Sequence, residues 1–96
     1  MTTMPDLYVG MQLDHACRAK WEAGAKVYGP VFVGNPAAHL FEECVDALNY
    51  IDEMARQRYP AGRLDELRRA VRRVALEAQL LYWSREGHRN AATASA

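Results

Sequence analysis

The chain has 96 residues, room for one domain with a modest core, since a chain this short buries only about 60–65% of the surface its unfolded form exposes. Half of its residues are apolar and a quarter charged, which is ordinary globular composition and excludes collagenous, disordered and disulfide-scaffold classes. Twelve basic and twelve acidic residues cancel, so no global field draws the chain to nucleic acid or anionic lipid.

Met1-Thr2-Thr3-Met4-Pro5 has neither a basic nor an apolar leader pattern, and no stretch approaches the ~18 uncharged apolar residues of a membrane span. A cytoplasmic protein with no membrane partner is expected. Over residues 7–27, apolar side chains at Leu13, Ala16, Cys17, Trp21 and Ala25 fall at the three-and-four spacing of one helix stripe, which Tyr28 continues. Gly29-Pro30-Val31-Phe32-Val33-Gly34 ends that helix, because Pro30 restricts the residue before it and the glycines permit turns. The apolar loop is expected to tuck against the core. Cys17 and Cys44 lie in apolar helical patterns without C-x-x-C spacing and read as reduced core residues.

Asn35-Pro36 is a helix start: Asn caps free amides, and Pro at the first helical position gives up an amide that had no partner. The second helix is expected over 36–58, where Tyr59-Pro60-Ala61-Gly62 stops it. Leu64, Leu67, Val71, Val74, Ala78, Leu81 and Tyr82 mark a third helix over 63–86, ending near Gly87. A flexible tail is expected over 88–96. The expected fold is all-α, a single helical domain over 1–87 formed as a small bundle of about three helices that completes a four-helix core by dimerisation.

The second helix is two-faced. At roughly 100° per residue, His39, Glu42, Glu43, Asp46, Asn49, Tyr50 and Glu53 share an arc of about 120°. Leu40, Phe41, Cys44, Val45, Ala47, Leu48, Ile51, Met54 and Ala55 fill the other side, with Asp52 the one charge among them. A solvated polar face is the ordinary reading of such an arc. Glu42 and Glu43, however, are like-charged neighbours of Asp46 at i,i+4 and i,i+3. Each such pair destabilises by about 0.2–0.5 kcal/mol, and no Lys or Arg lies between Asn35 and Met54 to offset them. A Mg²⁺ ion, which favours carboxylate oxygens together with water and phosphate oxygens, would turn the repulsion into coordination.

The run Leu40-Phe41-Glu42-Glu43-Cys44-Val45-Asp46-Ala47-Leu48-Asn49-Tyr50-Ile51 resembles the Glu-Glu-x-x-Asp helix of the all-α nucleotide pyrophosphohydrolases, the MazG-like and dCTPase-like group. With Lys26-Val27-Tyr28-Gly29-Pro30 before it, it is similar to the compact members carried by bacteriophages and their hosts. The resemblance runs from Trp21 to Met54. It implies Mg²⁺-dependent hydrolysis of a nucleoside triphosphate to the monophosphate and pyrophosphate, with Mn²⁺ able to substitute.

By motif position, Glu43 and Asp46 match the second acidic pair of that family, with Glu42 beside them, and all three are candidate metal ligands. The first pair, an E-x-x-E on the preceding helix, is not intact: that helix offers Asp14 and Glu22. Glu22 is the better placed, as a further ligand or as the base that orients or deprotonates water; Glu43 is the other candidate catalytic carboxylate. Arg18 and Lys26 are candidates for phosphate oxygens, or else for i,i+4 ion pairs with Glu22. Asn49 and Tyr50 continue the arc toward a base or sugar, though core or interface packing is the more ordinary role for Tyr50 and Trp21.

His15, His39 and His88 are too scattered for a histidine metal site. Arg63, Arg68, Arg69, Arg72 and Arg73 give the third helix a basic character, but Asp65, Glu66 and Glu77 interrupt it, and no nucleic-acid partner is expected. The expected partners are a nucleoside triphosphate substrate and further copies of the chain. The rival reading is a non-catalytic helical interaction or nucleotide-binding protein.

Overall fold

Asn35 does what its position predicts. Its Oδ1 accepts hydrogen bonds from the amides of Ala37 and Ala38, at 3.0 and 3.1 Å, and Pro36 opens a helix that runs to Arg56. The computed structural model describes the backbone of residues 4–95 and the side chains of 5–85. Over that range the chain is all-α, with four helices and no strand among the described residues: α1 (Met4–Val9), α2 (Leu13–Tyr28), α3 (Pro36–Arg56) and α4 (Ala61–Ser95). It divides into two compact units, Met1–Gly34 and Asn35–Ala96.

In the first unit, the helix expected over 7–27 is two helices. Gly10 carries little helical preference, the amide of Met11 turns back to the carbonyl of Tyr8 at 3.1 Å, and Gln12 takes an extended conformation as the cap of α2. Asp14 then lies in the first turn of α2, where a carboxylate is favoured by the helix dipole. The Lys20 ammonium stands 5.8 Å from the centre of the Tyr8 ring and joins α2 to α1. Gly29 ends α2 at φ +90°, a backbone that L side chains rarely adopt.

In the second unit, α3 and α4 form an antiparallel hairpin. Cys44 and Ile51 of α3 are buried against Leu64, Ala75 and Ala78 of α4, with Phe41, Leu48, Val71 and Tyr82 half-buried around them. The small Ala75 and Ala78 let the helices approach closely. Ile51 is 2% exposed and contributes about 1.5–3 kcal/mol of apolar transfer. Asp52, the one charge on the apolar side of α3, finds its reason at the edge of this seam: Arg68 of α4 reaches it at 3.5 Å while also pairing with Asp65 at 3.2 Å.

The connection between these helices closes α3 with a Schellman motif. The Tyr59 amide donates to the Met54 carbonyl and the Arg58 amide to the Ala55 carbonyl, both at 3.0 Å. Arg58 occupies the left-handed position of the motif at φ +65°.

Three further expectations change. Helix α4 passes through Gly87 to Ser95 instead of stopping at 86, since one glycine costs only about 1 kcal/mol relative to Ala and no proline follows it. Cys17, expected in the core, is exposed; Cys44 is buried, and both thiols are free. The Val31-Phe32-Val33 loop is also exposed, Val33 at 85%. Phe32 and Val31 instead border a cleft of about 420 Å³ within the first unit, beside Trp21, Gly24 and Tyr28.

Candidate functional site

Helix α3 carries the candidate carboxylates because its two faces do different work. The face with Cys44 and Ile51 is taken by α4, which leaves the residues about 100° or more round the helix from that seam on the outside. Glu42, Glu43, Asp46, Asn49 and Tyr50 are all exposed. Glu43 stands nearest the seam and borders a shallow apolar cleft with Ala47, Ala70 and Val74.

The carboxylates of this arc are not equivalent. Glu53 is neutralised locally: Arg56 Nε donates to its Oε2 at 2.6 Å and Gln57 Nε2 to its Oε1 at 3.2 Å. These bonds, the one from Arg56 foremost, hold the Glu53 carboxyl below its ordinary value. Glu42, Glu43 and Asp46 form no ion pair among the described residues. The like-charge crowding expected from spacing is therefore uncompensated at those three positions and relieved at the fourth.

Glu22, Arg18 and Lys26 lie on α2, in the other unit, and all three are exposed. No ion pair joins Glu22 to Arg18 or Lys26 among the described residues, although the i,i+4 spacing allows both. Asp14 of the same helix is also exposed. Trp21, for which packing was an available role, is 57% exposed at the cleft described above. That cleft was legible only as a helix stripe: Trp21, Gly24, Ala25 and Tyr28 share a face of α2, but its other wall comes from the loop that follows.

No family model, no curated protein and no solved structure matches this chain. The chemistry of the site thus rests on its own residues.

Among the described residues no group of three or more His, Cys, Asp or Glu side chains converges to hold a metal ion. The side chains of Glu42, Glu43 and Asp46 fan out along one arc and do not form a cage. Such an arrangement does not suit zinc, which takes four protein ligands in structural sites and three in catalytic ones. It fits the habit of Mg²⁺, which uses one or two carboxylates and completes its octahedron with water and phosphate oxygens.

Proposed function

We propose that the chain is a metal-dependent nucleoside triphosphate pyrophosphohydrolase that converts a nucleoside or deoxynucleoside triphosphate to the monophosphate and pyrophosphate. The observation that carries this reading is the contrast on α3: three exposed carboxylates without a cation, Glu42, Glu43 and Asp46, beside a fourth that Arg56 has neutralised. A triphosphate is a polyanion, and three bare carboxylates repel it unless a divalent cation intervenes. Mg²⁺ shared between one or two of these carboxylates and the phosphates would supply that neutralisation and polarise the scissile phosphoanhydride.

The remaining roles follow from residue chemistry. A carboxylate of α3 left free of the metal, such as Glu43, is suited to orient or deprotonate the attacking water. Asn49 and Tyr50 offer an amide and a ring along the same arc of α3.

The test is release of pyrophosphate from a panel of nucleoside and deoxynucleoside triphosphates by purified protein with Mg²⁺ or Mn²⁺. Metal-dependent release that disappears on chelation is the expected result. Its absence across the whole panel would favour the rival, a helical protein that binds a nucleotide or a partner without turnover.

A further inference from the structure

Gly24 sits in the interior of α2, where glycine costs about 1 kcal/mol relative to alanine. Neither backbone nor packing calls for it. Its conformation is helical, unlike that of Gly29, and a Cβ placed on it would meet no atom within 4 Å. The missing side chain instead keeps open the floor of the cleft of about 420 Å³ in the first unit, and glycine is the residue that lets a ligand approach the backbone closely. The cleft also has the size and lining of a small-molecule site, which spans about 300–1,000 Å³ and is apolar with a few polar groups. Trp21, Tyr28 and Phe32 contribute three aromatic rings, Phe32 the least exposed of them at 48%, so each keeps apolar surface that a flat ligand would cover. Of the described residues that line the cleft, Lys20 alone is charged. The Tyr8 ring engages its ammonium at 5.8 Å, and an ammonium has three N–H donors, so donors remain for an anion.

These features select a class of ligand. Aromatic rings attract cations, but a cation here meets the like charge of Lys20. A neutral aliphatic molecule leaves the ammonium unanswered and the rings without a stacking partner. A nucleoside triphosphate brings several negative charges to a single ammonium, and the polar edges of its base face a wall that is almost wholly apolar. We propose that the cleft binds a planar aromatic carboxylic acid of one or two fused rings, its ring system lying over Gly24 between Trp21 and Phe32 and its carboxylate on the Lys20 ammonium. Every residue of this site belongs to the first unit and none is a carboxylate of α3, so the proposal stands or falls independently of the hydrolase reading.

Cys17 supplies a readout at the site itself, because its exposed thiol borders the cleft while Cys44 is buried in the second unit. The probe is 2-naphthoate at millimolar concentration, and the measurement is the rate at which iodoacetamide, a neutral reagent, alkylates each cysteine, followed by mass spectrometry. 2-Naphthoate is expected to slow alkylation of Cys17 saturably and to leave that of Cys44 unchanged. 2-Naphthylmethylammonium has the same rings with the opposite charge, and its apparent dissociation constant is expected to be at least about fivefold higher, the factor set by one charge pair near 4 Å in water. Cyclohexanecarboxylate, with the charge but no flat ring, should also protect less well. Lys20→Gln is expected to weaken 2-naphthoate by the same factor of at least about five, whereas Lys20→Arg keeps the charge and should retain binding. Gly24→Leu fills the floor and must abolish protection; because leucine favours a helix over glycine, circular dichroism should show helicity kept or raised, which separates lost binding from unfolding. The proposal is overturned by an absence of saturable protection at Cys17, by equal protection from 2-naphthylmethylammonium, or by protection that survives Gly24→Leu. Protection by adenosine triphosphate at lower concentration than by 2-naphthoate overturns it too, since the cleft would then take a nucleotide.

Discussion

Asp46 lies within one turn of both Glu42 and Glu43, so it alone among the three can share an ion with either neighbour. Asp46→Asn keeps the shape and removes the charge; it is expected to lower pyrophosphate release at least about a hundredfold, which corresponds to about 2.7 kcal/mol of transition-state stabilisation. Glu53→Gln is expected to leave turnover near the wild-type rate, because Glu53 is already occupied by Arg56 and Gln57. Comparable near-native rates for both folded variants would remove the proposed site. Glu53 has a consequence of its own in acid. Its folded carboxyl titrates below the ordinary value of 4.5, so any stability it contributes is present above that value and is lost as the pH falls through the folded value. The pair is exposed and its contribution small, so the melting difference between wild type and Glu53→Gln should be slight at neutral pH and shrink as the pH is taken down below 4.5, as followed by thermal melts. Arg58 pays a conformational penalty for its left-handed backbone at φ +65°. Arg58→Gly should raise stability by about 0.5–1 kcal/mol, since glycine adopts that region without a Cβ clash, and a denaturant melt with unchanged slope would show it.

Among the elements, the α3–α4 hairpin carries the buried core of the described residues. Ile51 is its largest fully buried side chain, and Ile51→Ala should cost about 2–5 kcal/mol by lost transfer energy and an unfilled cavity. Circular dichroism during urea unfolding is the measurement, and a loss below about 1 kcal/mol would mean that the hairpin seam is not where stability resides. Much of this element was legible beforehand. Asn35-Pro36 located the start of α3, and the apolar spacing of Cys44, Leu48 and Ile51 located the side that α4 covers. Less was legible in the first unit, because residues 7–27 keep a helical period through Gly10 and periodicity does not record where hydrogen bonding pauses. The end of α4 was misjudged for the converse reason: Gly87 looks like a stop, but a glycine is a weak one without a proline behind it.

For the whole molecule, a cation that binds only the folded chain raises stability by RT ln(1 + [L]/Kd), about 2.7 kcal/mol when the free ion is a hundred times its dissociation constant. Millimolar Mg²⁺ is therefore expected to raise the melting temperature of the wild type and not that of Asp46→Ala. An equal shift in the two, or none in either, would return the acidic arc to a solvated helix face. No helix among the described residues is long and apolar enough to cross a membrane, in keeping with the composition.

Sequence alone determined the all-α class, the cap and acidic arc of α3, and the position of the turn before α4, because each depends on neighbours within a few residues: a cap, a helical period, a proline. Tertiary structure decided which charges are answered. Asp52 is paired because α4 returns alongside α3 and sets Arg68 opposite it, sixteen residues away in the chain. Glu42, Glu43 and Asp46 stay unanswered because the same return leaves their side of the helix uncovered. Cys17 and Trp21, whose spacing resembles that of buried residues, are exposed, since apolar periodicity identifies a face but not whether another element covers it.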